Sequence, residues 1–493
     1  MAESNRYDHI EKREAPPFAG SMMESLRDLG YSTEAAVADI IDNAIFARAT
    51  TVLIDFLWDG LKSRVVFSDN GLGMTDDELV CAMRPGSQNP ASERDRNDLG
   101  RFGLGLKTAS LSQCRILTVL SRKKAEELSY WRWDLNYITA PETEGWTILH
   151  VADQTDLVNA ERMTNGTVVI WDTLDRIVEL KKKEYSKDDF YIVAEKVKRH
   201  LEMVFHRYLE TGKLKIVFNG VPVKAWDPFL RSEVATQPLP EETLGNGAIS
   251  VKAYILPHRS KLEDDVWLEN EKREGWDALQ GFYIYRNERL LLAADWLGLA
   301  RKRSHYKLAR IMIDLPNHFD HEWQIDIKKS RAKFPLTLRQ QLKAIAVVTI
   351  TQAEQVFRHR GKQVQRSLPG GFSFVWKEMV KDGRYFFRIN QEHPVIAGLI
   401  AQIPERKKEI QTLLRLIEET VPGPAIIAKE HAYPDNMMRP FEAITDTEII
   451  SLMKELSKGW KEQGLNRDLI RGKLLMTEPF GDYPHLIETI SYE

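Results

Sequence analysis

After Gly30-Tyr31-Ser32, apolar side chains recur at Val37, Ile40, Ile41, Ala44 and Ile45. This i, i+3, i+4, i+7, i+8 spacing predicts a helix with one buried stripe. Asp39 and Asn43 fall on its other face, one turn apart, so their side chains project side by side. Asp42 lies nearer the stripe's edge. Ahead of this helix, Ser21-Met22-Met23-Glu24 has capping-box spacing and predicts a helix start. Thr51 to Trp58 and Arg64 to Ser68 read as strands joined by a hairpin turn at Asp59-Gly60. Further strand-like runs lie at Ile116 to Leu120, Leu128 to Trp133 and Thr167 to Trp171, followed by a helical run from about Asp188 to Leu209.

A second α/β block spans about 210 to 350, with strands at Leu214 to Phe218, Ala248 to Ile255, Gly281 to Tyr285 and Ile311 to Asp314. From about Arg358 on the chain reads as mostly helical, broken by Pro and Gly. Arg84 to Gly105 has no apolar period and is rich in Gly, Asn, Asp, Pro, Ser and Arg, so it reads as a long loop of the kind that forms functional lids. The sequence shows no internal repeat.

Composition narrows the classes. The 493 residues carry 69 Lys+Arg against 72 Asp+Glu, a net charge of -3, which argues against a uniformly basic nucleic-acid coater and leaves local basic patches. The cysteines, Cys81 and Cys114, are too few for a disulfide framework and read as small buried hydrophobes in a reducing compartment. The polar N-terminus lacks a signal-peptide core, and no stretch reaches the roughly 18 apolar residues of a membrane span. A cytoplasmic protein without a membrane partner is expected.

Four polar motifs occur in a fixed order: Asp39-Ile-Ile-Asp42-Asn43 on the helix; Asp69-Asn70-Gly71-Leu72-Gly73-Met74 ending a strand; Gly100-Arg101-Phe102-Gly103-Leu104-Gly105-Leu106-Lys107 entering a helix; and Gly166-Thr167 opening a strand. A nucleotide site needs a carboxylate for the adenine amino group, glycines where backbone approaches base and phosphates, and amides at a helix start for anionic oxygens. Asp69, Gly71 and Gly73 suit the base, and Gly103 and Gly105 the phosphates. The amide oxygen of Asn43 is a hard ligand for a phosphate-bridging metal. Asp39 can orient or deprotonate an attacking water, and Lys107 offers a positive charge beside the glycines. Taken singly, Asp-Asn-Gly is most often a turn, Gly-x-x-Gly-x-Gly is a weak signal, and Asp39 and Asn43 would be solvated helix residues.

Together the motifs resemble the gyrase, heat-shock chaperone, histidine-kinase and MutL (GHKL) superfamily of ATPases, closest to bacterial MORC-like and MutL-type proteins. The resemblance implies an α+β chain: a polar segment over residues 1–20, a GHKL (Bergerat) ATP-binding α/β sandwich over 21–185, a transducer α/β domain over 186–355, and a mainly helical region of unassigned role over 356–493. It implies ATP and Mg2+ as ligands. Asp39 stands where the superfamily's usual base is Glu, so slow hydrolysis is expected. Asn43 is the implied metal ligand. Asp69, Gly71, Gly73, Met74, Gly100, Gly103, Leu104, Gly105, Lys107 and Thr167 are the implied nucleotide contacts. A transducer lysine is implied at the γ-phosphate; Lys329 and Lys333, in Trp323-Gln-Ile-Asp326-Ile-Lys328-Lys329-Ser330-Arg331-Ala332-Lys333, are both candidates. The resemblance further implies an ATP-closed homodimeric clamp acting on DNA in bacterial defence, restriction or DNA maintenance, alongside separate nuclease or helicase subunits. A chaperone-like or regulatory switch that clamps protein is the competing reading.

Arg301-Lys302-Arg303 with Lys307 and Arg310, and Arg358-His359-Arg360 with Lys362 and Arg366, are candidate DNA-phosphate contacts, although solvated surface is the commoner role of such clusters. Glu392 and His393 lack a partner at metal-ligand spacing.

Overall fold

The computed structural model describes residues 11, 13, 15, 17–28, 30–86, 105–143, 145–177, 186–245, 247–316, 323, 334–358, 375–381, 384–432, 441, 443–462 and 465–490. The chain forms two compact units, residues 1–361 and 362–493.

The first unit opens with α1 (Ala19–Arg27) and α2 (Thr33–Phe46). Ser21 lies inside α1, whose N-cap is Phe18, so the expected capping box does not form. Glu24 instead pairs with Arg27 and Arg115. Ser32 caps α2, accepting from the Ala35 amide. Then come β1 (Thr51–Leu57), β2 (Arg64–Asp69), α3 (Asp76–Met83), α4 (Gly105–Leu111), β3 (Ile116–Arg122), β4 (Leu128–Asp134), α5 (Leu135–Ile138), α6 (Gln154–Glu161) and β5 (Gly166–Asp172). After α7 (Lys187–Val204) and α8 (His206–Glu210) the chain forms β6 (Lys215–Phe218) and β7 (Val221–Pro222).

These strands make one seven-stranded sheet, ordered β4-β3-β5-β2-β1-β6-β7. Every pairing is antiparallel except β1 with β6. Alternation along β1 buries Val52, Ile54 and Phe56 in a core shared with the apolar residues of α1, α2, α4 and α7. A smaller cluster containing Leu120, Val168 and Ile170 of β3 and β5 packs with Ala160 of α6. β5 is covered on both faces and reads as a continuous apolar run for that reason. The strand expected near Leu214 to Phe218 in the second block therefore belongs to the first sheet, and the first core extends to Val223.

The second sheet comprises β8 (Gln237–Pro238), β9 (Glu242–Leu244), β10 (Ile249–Ile255), β11 (Gly281–Arg286), β12 (Arg289–Asp295) and β13 (Ala309–Leu315). Its order is β12-β11-β13-β10-β8, with β9 also pairing β10. Between β10 and β11 lies α9 (Asp264–Arg273), and α10 (Arg339–Arg358) packs its apolar side on the sheet through Leu342, Ile345 and Ala346. β11 and β12 join through Asn287 and Glu288, both at positive φ (47° and 67°), as a two-residue hairpin of primed-turn type requires.

The second unit is described by itself. It contains a hairpin, β14 (Trp376–Lys381) with β15 (Arg384–Ile389), that the helical reading of this region does not anticipate. The remainder is helical as expected: α11 (Pro394–Gln402), α12 (Lys407–Thr420), α13 (Gly423–Ala432), α14 (Asp446–Glu462), α15 (Arg467–Leu475) and α16 (Pro484–Thr489). Its core gathers Ile449, Met453, Trp460, Ile470 and Leu474. Among the described residues, no helix of either unit is long and apolar enough to cross a membrane.

Candidate nucleotide site

The face of α2 that sequence spacing leaves polar is not uniformly solvent-exposed. Asp39 is 6 % exposed and Asp42 3 %, whereas Asn43 is exposed. α2 is packed by α4 and α7, so its polar side chains line an interior as well as a surface. The Tyr31 hydroxyl donates to Asp39 Oδ2 at 3.1 Å. A methyl group placed on Gly105 would lie 4.0 Å from the same oxygen, so the start of α4 sits over Asp39. Two of the four motifs therefore meet at this carboxylate. Asn43 keeps its backbone carbonyl in the helix, accepting from Ala47 at 2.9 Å, and presents its amide at the surface one turn further along.

The other two motifs meet at the end of β2. Asp69 is paired across the sheet with Thr167, and its Oδ1 accepts from the Gly71 amide at 2.7 Å. Burial pushes the Asp69 carboxyl up to about 6, against hydrogen bonds from the Gly71 and Thr167 amides that favour its charged form. Ser121 of β3 links the surrounding backbone. Its hydroxyl accepts from Met74 N at 2.9 Å, lies 2.9 Å from Thr167 Oγ1, and donates to Gly166 O at 3.1 Å. Asn70 serves the turn: its Oδ1 accepts from the Thr50 and Thr51 amides at 2.9 and 2.8 Å.

Close backbone approach explains the glycines here. Gly73 has φ +70°, and a Cβ on it would fall 1.9 Å from Arg122 O; a Cβ on Gly166, at φ +129°, would fall 2.0 Å from Asp69 O. Gly73→Ala is accordingly expected to be destabilising, with about 1–2 kcal/mol from the left-handed φ alone and more from displacing the start of the loop between β3 and β4. A melting temperature equal to that of wild type would contradict this packing.

Lys107 does not point its charge outward. It is 3 % exposed, its Nζ donates to Ala82 O in the last turn of α3 at 2.8 Å, and burial pulls its ammonium down to about 8. Gly100, Gly103 and Leu104, most of the expected loop, and both transducer lysine candidates, Lys329 and Lys333, lie outside the described residues.

Sequence reasoning missed Tyr31, Ser121 and Arg289. Arg289, the first residue of β12, brings its guanidinium against α2: Nε lies 3.1 Å from both Asp42 oxygens, and Nη2 is 3.1 Å from Asp42 Oδ2 and 3.9 Å from Asp39 Oδ1. No local pattern marks a pair separated by 247 positions. Of the basic cluster around Arg301, Arg301, Lys302 and Arg303 are exposed, with Lys302 also donating to Ala278 O. Arg310 is fully buried, and Lys307 lies 5.3 Å over the Trp267 ring and 5.1 Å over Phe357, so these two charges pack within the fold. In the second cluster, His359, Arg360, Lys362 and Arg366 lie outside the described residues. Cys114 is buried as expected, whereas Cys81 is exposed on α3.

The arrangement of a buried carboxylate and an exposed amide on one helix, with an aspartate and glycine-lined turn at the adjoining strand ends, is that of a nucleotide-binding α/β sandwich. Residues 31–166 match the family model described as histidine kinase-, DNA gyrase B- and HSP90-like ATPase. The chain carries a GHKL-superfamily ATPase domain, in an α+β fold. Within that superfamily it resembles MORC and MutL proteins. It is 28% identical over 123 residues to ATPase morc-1 of Caenorhabditis elegans, covering 25% of this chain and 14% of that protein. It is 33% identical over 96 residues to the DNA mismatch repair protein MutL of Coxiella burnetii (strain RSA 493 / Nine Mile phase I), covering 19% of this chain and 17% of that protein. The matches thus span less than a fifth of the length of these relatives.

Proposed function

We propose that this chain binds and hydrolyses ATP with Mg2+ and acts as an ATP-gated dimeric clamp of MORC/MutL type on DNA, in bacterial defence, restriction or DNA maintenance. The observation that carries the reading is the convergence of Asp39, midway along α2, with Gly105 at the start of α4, one turn from the exposed Asn43. The residues fit the ligands. Asp69 supplies an acceptor for the adenine amino group, with Thr167 beside it and Gly71 and Gly73 keeping the turn free of side chains. Asn43 supplies a hard oxygen suited to Mg2+, which would neutralise charge on the phosphates. Asp39, held by Tyr31, accepts the proton of the attacking water. Gly100, Gly103, Leu104, Gly105 and Lys107 are assigned to the phosphates, Lys107 once its Nζ leaves the Ala82 carbonyl, and Lys329 or Lys333 to reporting the γ-phosphate. Preferential binding of ATP to the closed arrangement would shift the population toward it, and hydrolysis would release it. Separate nuclease or helicase subunits and a cytoplasmic location complete the proposal.

Two experiments bear on this reading. DNA affinity is expected to rise with a non-hydrolysable ATP analogue and to fall steeply with salt; no binding to several DNA forms under either condition would remove DNA as the clamp's target and favour a protein client. The Asp69 titration gives a pH signature. Because its folded value is raised from 3.8 to about 6, this group's contribution to stability is present below about 4 and is lost as pH rises through about 6. An adenine amino group donates to the ionised form, so ATP affinity is expected to fall by up to about tenfold per unit below pH 6. Purine riboside triphosphate, which lacks that amino group, retains the phosphates' own titration and is expected to lose the Asp69 step. Identical pH profiles for the two nucleotides would contradict the adenine contact.

A further inference from the structure

The buried arginine that the second sheet inserts beside α2 carries a role of its own. Arg289 is 4 % exposed and Asp42 3 %, and the guanidinium meets Asp42 through both Nε and Nη2 at 3.1 Å. Its third nitrogen, Nη1, donates to the Leu290 carbonyl of its own strand at 2.8 Å. The Nη2 edge also faces Asp39 Oδ1 at 3.9 Å, while Tyr31 holds the other oxygen, Oδ2. One cation therefore stands between two carboxylates of α2. The guanidinium centre is 5.8 Å from the Phe205 ring at the end of α7. His200 of α7 brings no competing charge at neutral pH, because burial first and the Arg289 charge second pull it down to about 4.

The position of Arg289 is set by contacts across the two sheets. It follows directly on the Asn287-Glu288 turn. The Tyr208 hydroxyl of α8 donates to Asn287 O at 2.7 Å, and Lys213, just ahead of β6, pairs with Glu288 at 2.7 Å. The turn is thus fastened to elements flanking the first sheet, and the arginine reaches α2 only while β12 is docked there. A planar, five-donor guanidinium can hold Asp42 along its Nε/Nη2 edge and still turn Nη2 toward Asp39; the single nitrogen of an ammonium offers no such fixed fork.

We propose that Arg289 is a positioning residue for ATP hydrolysis: supplied by the second sheet, it locks Asp42 and orients Asp39 toward the water it activates, so the base is aligned only when the second sheet is docked on α2. This inference rests on the assignment of Asp39 as the base. It makes the second sheet part of the hydrolytic apparatus through a residue that touches neither nucleotide nor water.

The test uses the full chain with Arg289→Lys, and with the double variant Asp42→Asn/Arg289→Gln, which removes the closest ion pair as a unit, so Asp42 is not left as an uncompensated buried charge, and leaves Asp39 its hydrogen bond from Tyr31. Affinity for a non-hydrolysable ATP analogue is measured beside kcat and KM. In both variants kcat is expected to fall by at least about tenfold, the scale of a misplaced catalytic group, with analogue affinity within about threefold of wild type. A kcat within twofold of wild type in either folded variant would overturn the inference, as would equal losses in kcat and affinity, which a merely structural role produces. Asp39→Asn separates the two levels. If it abolishes turnover while Arg289→Lys does not, the inference fails and the base stands; if Asp39→Asn turns over normally, the base assignment fails and takes the inference with it.

Discussion

Asp39→Asn is expected to lower kcat for ATP by at least about 100-fold, the usual scale for losing a general base, while leaving ATP affinity nearly unchanged. The substitution preserves the side chain's shape and its contact with Tyr31 but removes the basic oxygen. It should also leave the fold intact. Arg289 keeps its three contacts of 3.1 Å to Asp42, and its approach to Asp39 is the looser one at 3.9 Å, so the cation is not stranded. Single-turnover phosphate release beside equilibrium nucleotide binding checks this outcome. Turnover at the wild-type rate would remove Asp39 from the chemistry. An aspartate here places its carboxylate one methylene nearer the backbone than the superfamily's glutamate, and the proximity of Gly105, which contributes no side chain between α4 and that carboxylate, is consistent with a shorter acid reaching the reacting groups.

Asn43→Ala is expected to weaken Mg2+-dependent ATP binding by at least about 100-fold, since it removes the proposed direct metal ligand, and losing a group that only supports such a ligand already costs about 10–100-fold. Stability is expected to hold or rise slightly. Asn43 is exposed in the last turns of α2, its backbone hydrogen bond to Ala47 is independent of the side chain, and alanine is the better helix former by about half a kcal/mol. Calorimetric titration with ATP, with and without Mg2+, beside a thermal melt separates loss of the ligand from loss of the fold. Retained Mg2+-dependent affinity would mean that the metal is held elsewhere.

The difference between these variants follows from burial that spacing alone does not reveal. The apolar stripe of α2 was legible, and Val37, Ile40, Ile41 and Ala44 are all buried; yet Asp39 and Asp42 are buried too, because α4 and α7 cover more of the helix than a one-sided pattern implies. Strands β1 to β5 were readable within a residue or two, since alternation and closely spaced turns are local signals. β12 was not. Its turn, Asn287-Glu288, lacks the glycine that usually announces a primed hairpin, and Glu288 adopts a left-handed φ of 67° under tertiary contacts from Lys213. The capture of β6 by β1, and the meeting of Arg289 with Asp42, are long-range pairings for which neither partner carries a sequence mark. Within the site, Gly71, Gly73 and Gly166 announced themselves because close backbone approach excludes other residues, and Asp69 through its place in the same motif, whereas Ser121 and Tyr31 are ordinary residue types whose roles exist only once the sheet is formed.

Everything proposed for this chain depends on the groups at the two ends of the site holding ATP with Mg2+. Isothermal titration of the full 493-residue chain with a non-hydrolysable ATP analogue tests this most directly. Saturable binding at one site per chain, requiring Mg2+ and lost in Asn43→Ala, is the expected result. Absence of binding up to millimolar nucleotide in the presence of Mg2+ would contradict it.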